Sequence, residues 1–320
     1  MRFVFLVPGL FLSVCLSMPA VASDVSDLLK KMTTTDDHLN YQGVLVLRKL
    51  DNLVAMHVEH GVDDRGVWES MVSLNGEASR VVRVNDKVTS IYPERRLLTV
   101  THSKNKHSLH PALPENLEKL EAYYTINRLK NDRIANHSAV VLDVVPNDGL
   151  RYGYRYWLDE QTGVLLRCDL LNEDRRVVEQ MMFTMLEYLP SIPASAFAEI
   201  DSKGFRERQL DQVTPAQQNP AWQVNNLPTG FMLTQSRVRE TSKGEVLHLA
   251  YSDGLASVSV FVEPGQFVHK KPEGATSMGA LNAYRVSVNQ HFVMVMGEVP
   301  AAAVKQIAQS VVPVEAVPGE

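Results

Sequence analysis

The sequence predicts a mainly β chain of the α+β class. One large, curved antiparallel sheet with one or two helices against it comes first, and a smaller antiparallel sheet with a terminal helix follows. Three observations predict it. Segments rich in β-branched and aromatic residues recur at intervals of about ten residues, with turn dipeptides such as Asn75-Gly76 and Asn85-Asp86 between them. No alternation of strands with long amphipathic segments occurs, so a parallel βαβ sheet is not expected. Residues 201–219 are poor in large apolar side chains, rich in glutamine and followed by Pro220, which reads as a linker between two folded units.

The elements follow in order. Residues 1–22 read as a secretory leader: Arg2 is the positive start, 3–18 are apolar, and Ala20-Val21-Ala22 is a small-residue cleavage pattern. A lipoprotein leader ending at Cys15 is the rival reading, but Val14 stands where a small residue is expected. Val25, Leu28, Leu29 and Met32 share one helical face over 25–39, with Asp24 placed to cap it. Strands are expected at 41–48, 53–60, 66–74, 79–84, 87–92 and 97–102, then a helix at 114–124 with Leu117 and Leu120 on its apolar side. Strands at 124–130, 138–146, 152–158, 164–171 and 177–189 complete a large unit over 23–200, joined by a linker at 201–218 to a small unit over 219–318. In the small unit, strands at 231–240, 245–252, 255–263, 282–288 and 291–297 precede a helix over 300–311, with Pro300 at its first position.

Composition narrows the function. With 320 residues and 45% hydrophobic content, the chain can bury substantial cores. The formal charge of −5 becomes −6 without Arg2, so bulk electrostatics recruit no nucleic acid. Beyond the leader Cys168 stands alone, inside a leucine-rich strand, and reads as a small buried hydrophobe. No nucleophile elbow, phosphate loop or Cys-x-x-Cys is present, so neither an enzyme nor a cofactor is expected. His57, Glu59 and His60 form HVEH, but strand alternation turns His60 away from the other two, so no metal site is expected there.

The informative stretch is RYGYRYWLDEQTGVLLRCDLL, residues 151–171. Alternation puts Tyr152, Tyr154, Tyr156 and Leu158 on one face, with Arg151, Gly153, Arg155 and Trp157 on the other. Val164, Leu166, Cys168 and Leu170 continue the apolar face, and Val177, Met181, Phe183 and Met185 extend it on the last strand. Either this is an ordinary core under its helices, or the concave side is too large for them and leaves an apolar cleft. The lining of such a cleft is expected to be Trp68, Tyr92, Tyr152, Tyr154, Tyr156, Trp157, Leu166, Met181, Phe183 and Met185.

The segments 40–43 (NYQG), 71–76 (MVSLNG), 152–163 (YGYRYWLDEQTG) and 179–184 (EQMMFT) supply a resemblance, together with Trp222 and 227–231 (LPTGF). In this order and spacing the chain resembles the RseB/MucB family along nearly its whole length. The resemblance implies a LolA/LolB-like half-open barrel with helices as a lid. It implies a periplasmic negative regulator of the envelope-stress sigma factor, which binds the periplasmic part of a transmembrane anti-sigma factor and shields it from proteolysis. It also implies release by a lipid or lipopolysaccharide-like amphiphile, and no catalytic residues. The chain departs from the family pattern at Val44-Leu45-Val46-Leu47, where an aromatic is frequent, and before Arg151, where a proline-rich lead-in is expected. A lipid or lipoprotein carrier without a regulatory partner is the alternative function, and exposed apolar surface would favour homo-oligomers.

Overall fold

The computed structural model describes residues 20–35, 38–102, 120–193, 196–198, 200–210, 221–241, 244–265 and 273–314. The mainly β expectation holds, with two large sheets and short helices. Helix α1 (Ala20–Thr35) starts earlier than expected, so Asp24 lies inside it instead of capping it. The expected leader lies outside the described residues apart from 20–22, which are helical. The helix expected at 114–124 also lies mostly outside them; of its span, Leu120 and Glu121 are helical and Leu120 is buried.

The first sheet is a meander. It comprises β1 (Asn40–Lys49), β2 (Asn52–Asp63), β3 (Gly66–Ser73), β4 (Arg80–Val84), β5 (Lys87–Tyr92), β6 (Leu97–His102), β7 (Tyr124–Ile134), β8 (His137–Pro146), β9 (Gly153–Asp159), β10 (Leu165–Leu171) and β11 (Val177–Leu189). Sequential strands pair within β1–β6 and within β7–β11, and β11 returns to pair with β1. Short β12 (Arg206–Gln209) adds in parallel to β6, giving the order β12-β6-β5-β4-β3-β2-β1-β11-β10-β9-β8-β7. β12 is a correction: composition places 206–209 in the linker, yet the backbone pairs with 97–100.

The sheet curls around α1. Val25, Leu29 and Met32 of the helix share one cluster with Leu45 and Val58 from one half of the sheet and Leu142, Tyr156, Leu166 and Phe183 from the other. Helix α1 is tied to the β9–β10 turn, where Thr35 Oγ1 donates to the Thr162 carbonyl at 2.7 Å and Lys31 Nζ to that of Gln161. Gly163 (φ +82°) sits under the helix, and a Cβ there would meet Lys31 and Thr35 at about 3 Å.

The second sheet has the order β14 (Met232–Thr241), β15 (Gly244–Ser252), β16 (Ser257–Pro264), β19 (His291–Gly297), β18 (Leu281–Val288), β17 (Gly274–Met278). Helix α2 (Ala301–Ala308) covers one face with Ala303, Val304, Ile307 and Ala308. β13 (Trp222–Val224) pairs with β20 (Val311–Pro313), so the C-terminal end of the expected helix is extended instead. β17 is a strand the sequence pattern did not announce; four of its five residues are exposed, so it lacks the apolar alternation of its neighbours.

Cys168 is buried in the main cluster, and burial pushes its thiol well above the usual range. The thiol is expected to resist a thiol-reactive dye in the folded chain and to react as fast as a free cysteine once denatured. Full labelling of native protein on mixing would contradict this packing.

Candidate functional site

Cross-strand register assembles the concave face. Tyr156 lies beside Cys168, Cys168 beside Met181, and Phe183 beside Leu45. Tyr154 and Tyr156 stack at 5.8 Å, and Tyr41 meets Phe183 edge-on at 6.2 Å. Of the expected lining, Tyr154, Tyr156, Leu166, Met181 and Phe183 thus come together, buried beneath α1. The Tyr156 hydroxyl finds no hydrogen-bond partner among the described residues. A buried polar group without a partner costs about 1–3 kcal/mol. Tyr156→Phe is therefore expected to leave thermal stability unchanged or raise it, and a clear drop in melting temperature would show that the hydroxyl is engaged.

The other five expected residues do not join them under the helix, although Tyr152 and Trp157 belong to the same buried cluster. Met185 is 50% exposed on the outer face. The pairing with β1 skips Thr184, so this one-residue bulge inverts the alternation and gives the inner place to Leu186 beside Gly43. Trp157 faces outward with odd-numbered neighbours: the Arg167 guanidinium covers its ring at 4.1 Å, and its Nε1 donates to Asp132 at 3.0 Å. Trp68 also faces outward, in a separate cluster with Val82 and Ala196. Tyr92 is half-buried near a strand end, with Arg95 at 5.6 Å from its ring. Tyr152 stays in the large cluster at its edge, and its hydroxyl meets the second sheet, accepting a hydrogen bond from Asn282 Nδ2 at 2.9 Å.

Beyond Tyr41 the same face turns polar. Register sets Tyr41, His60, Glu69 and Arg83 in one row across β1 to β4. Tyr41 stacks on His60 at 4.9 Å, and Glu69 bridges His60 Nδ1 and Arg83 Nε at 3.3 Å each. His60 of HVEH is thus committed to a buried structural pair, on the opposite face from His57. Among the described residues no group of three His, Cys, Asp or Glu side chains has metal-holding geometry.

Sequence reasoning missed the joint between the sheets. Arg151 is 2% exposed, and its Nε donates to Asp253 Oδ2 at 2.5 Å across the seam. Its two terminal nitrogens donate to Asp148 and to the Thr229 carbonyl. The rings of Tyr123, Tyr124 and Phe231 lie 5.0–5.9 Å from the guanidinium carbon. Tyr124 donates to Asp253 Oδ2 at 3.1 Å, while Asp253 Oδ1 accepts from the amides of Leu255 and Ala256. Asn282 also donates to the Val299 carbonyl at 2.8 Å. At the rim Lys49 pairs with Glu179 at 2.6 Å and with Glu298, across the seam, at 3.3 Å. The cores interlock: Leu255 and Ala280 join the large cluster, and Leu150 packs on the small one. The available signal was Arg151 among aromatics, which alternation reads as a surface position.

Burial raises the phenols of Tyr124, Tyr154 and Tyr156 far above the ordinary value of 10.0. Their neutral form is held in the folded chain, so the associated stability is present below pH 10 and is lost as pH climbs toward the folded values. Ultraviolet titration is expected to show these phenols ionising together with unfolding; their ionisation ahead of unfolding would contradict the burial.

A broad, helix-covered apolar face locked through a buried ion pair to a second sheet defines a two-sheet binding protein. Comparison with known proteins gives the family. The MucB/RseB N-terminal domain model matches residues 24–200, and the MucB/RseB C-terminal domain model matches 216–312. The chain belongs to the MucB/RseB family. It is 30% identical over 315 residues to the sigma factor AlgU regulatory protein MucB of Pseudomonas aeruginosa, covering 95% of this chain and 96% of that protein. It is 26% identical over 306 residues to the sigma-E factor regulatory protein RseB of Haemophilus influenzae, covering 95% and 96%. Among solved structures, the MucA/MucB complex of Pseudomonas aeruginosa aligns with a TM-score of 0.73 at 28% identity, over 92% of this chain and 100% of that one. MucB in complex with MucA(peri) aligns at 0.72 and 27%, over 91% and 99%.

Proposed function

We propose that this chain is a periplasmic negative regulator of an envelope-stress sigma factor. It binds the periplasmic domain of a membrane anti-sigma factor and shields that domain from regulated proteolysis. The observation that carries the reading is the match along nearly the whole chain, both sheets included, to a MucB solved together with MucA. Residues 1–22 would serve as the export leader, 23–200 and 219–318 as the two units, and 201–218 as their connection, with 206–209 paired to the first sheet. The protein acts by binding rather than by catalysis.

An amphiphile, such as a lipid or a lipopolysaccharide fragment, releases the partner. It enters the concave face lined by Tyr154, Tyr156, Leu166, Met181 and Phe183 by displacing α1. Ligand and partner then weaken each other by the same factor, whichever binds first. An amphiphile that bound both states equally would release nothing.

The test is a titration of the mature chain with the periplasmic domain of its anti-sigma factor, with and without a lipopolysaccharide fragment. Binding that the fragment weakens is expected. Binding unchanged at saturating fragment would discard the release step. Fragment binding without partner binding would make the protein a carrier.

A further inference from the structure

The smaller sheet has a second face. Leu249, Val260, Val293 and Val295 pack toward α2, so their neighbours in alternation point away from it. Register sets five of those in one row across the sheet: Arg237, His248, Phe261, Met294 and Arg285. All five are half-buried. His248 and Phe261 stack at 4.4 Å and 9°, and Arg285 Nη2 lies 3.6 Å from the Met294 sulfur. Burial, reinforced by Arg237, lowers the His248 pKa, so its ring offers a neutral flat surface at pH 7. Arg239 shares this face two positions along β14. Neither Arg237 nor Arg239 has a carboxylate partner among the described residues. Among the described residues β14 is outermost and hydrogen-bonds only to β15, and its first residues Met232 and Leu233 are 62% and 43% exposed.

We propose that this face, with the free edge of β14, is the docking surface for an extended acidic segment of the protein partner. The inference rests on the regulatory reading above and names where, and by what chemistry, the partner is held. An open edge offers main-chain donors and acceptors that an extended chain satisfies by adding a strand. Two arginines without carboxylates favour acidic side chains at alternate positions of that strand. The His248–Phe261 stack and Met294 supply a flat, adaptable apolar anchor between them. The opposite face is taken by α2, and the Asp253 end by the joint, so neither competes for this segment.

The test compares the full mature chain with its R237E/R239E and Phe261→Ser variants, by calorimetric titration with the partner's periplasmic domain. Melting curves run alongside establish folding. The charge reversal is expected to weaken binding about tenfold or more at 0.1 M salt, with the gap narrowing at 0.5 M. Phe261→Ser is expected to weaken binding at both salts alike. Wild-type affinity in the folded charge-reversal variant would overturn the surface and leave the regulatory reading standing. Loss of binding to vesicles of anionic phospholipid, with partner affinity unchanged, would reassign the face to a membrane and also overturn it. Absence of partner binding by the wild-type chain would remove both the surface and the reading beneath it.

Discussion

Arg151→Met is expected to lower the unfolding free energy by about 3–5 kcal/mol, because it leaves the Asp253 carboxylate buried without its cation. The Tyr124 hydroxyl and two backbone amides remain on that carboxylate, but they do not neutralise it. Removing both charges is a different matter. Arg151→Met with Asp253→Leu takes away the desolvation cost along with the attraction, and is expected to recover a large part of the loss. Denaturant melts of the two singles and the double give the coupling directly. Arg151→Met that melts like the wild type would show the joint to be solvated and the two sheets independently mobile.

Leu29→Ala is expected to cost about 2–5 kcal/mol, the range for removing a large aliphatic side chain from a packed core. Leu29 is buried on the face of α1 that meets the concave sheet. Its functional consequence runs the other way. If an amphiphile enters by displacing α1, a weaker helix contact lowers the cost of opening, and an apolar dye or acyl chain should bind more tightly to the variant. A stability loss with no gain in amphiphile affinity would mean that ligands reach the protein by a route that leaves α1 in place.

The strands were legible because apolar residues alternate with polar ones, as in β1, or form short buried runs between turns, as in β8 to β10, and β5, β6 and β11 fall on the expected residues. The strands that were missed have no such pattern. β12 reads Arg-Glu-Arg-Gln, fully exposed, and is a strand only because it borders β6 across about a hundred residues of chain. The five residues that do meet beneath α1 share the face on which alternation alone placed them. Met185 was lost to a bulge that inverts alternation without any residue type to mark it. Arg151 was lost for a deeper reason. Its burial is set by Asp253 and Phe231, which belong to the other sheet, and a local pattern carries no information about a partner a hundred residues away.

β12 bears on how the joint behaves once opened. Leu210 still donates to the Val100 carbonyl at 2.9 Å, so the chain is moored to the large sheet up to that point, and Trp222 begins the pairing with the C-terminal strand. From 210 to 222 is twelve residue steps, a reach of about 40 Å at full extension. A segment that short keeps the freed sheet at an effective concentration in the millimolar range beside its socket. Parting is therefore an intramolecular event with a fast return, so a ligand must favour the open arrangement strongly enough to offset that return, and the protein stays open only while the ligand stays bound.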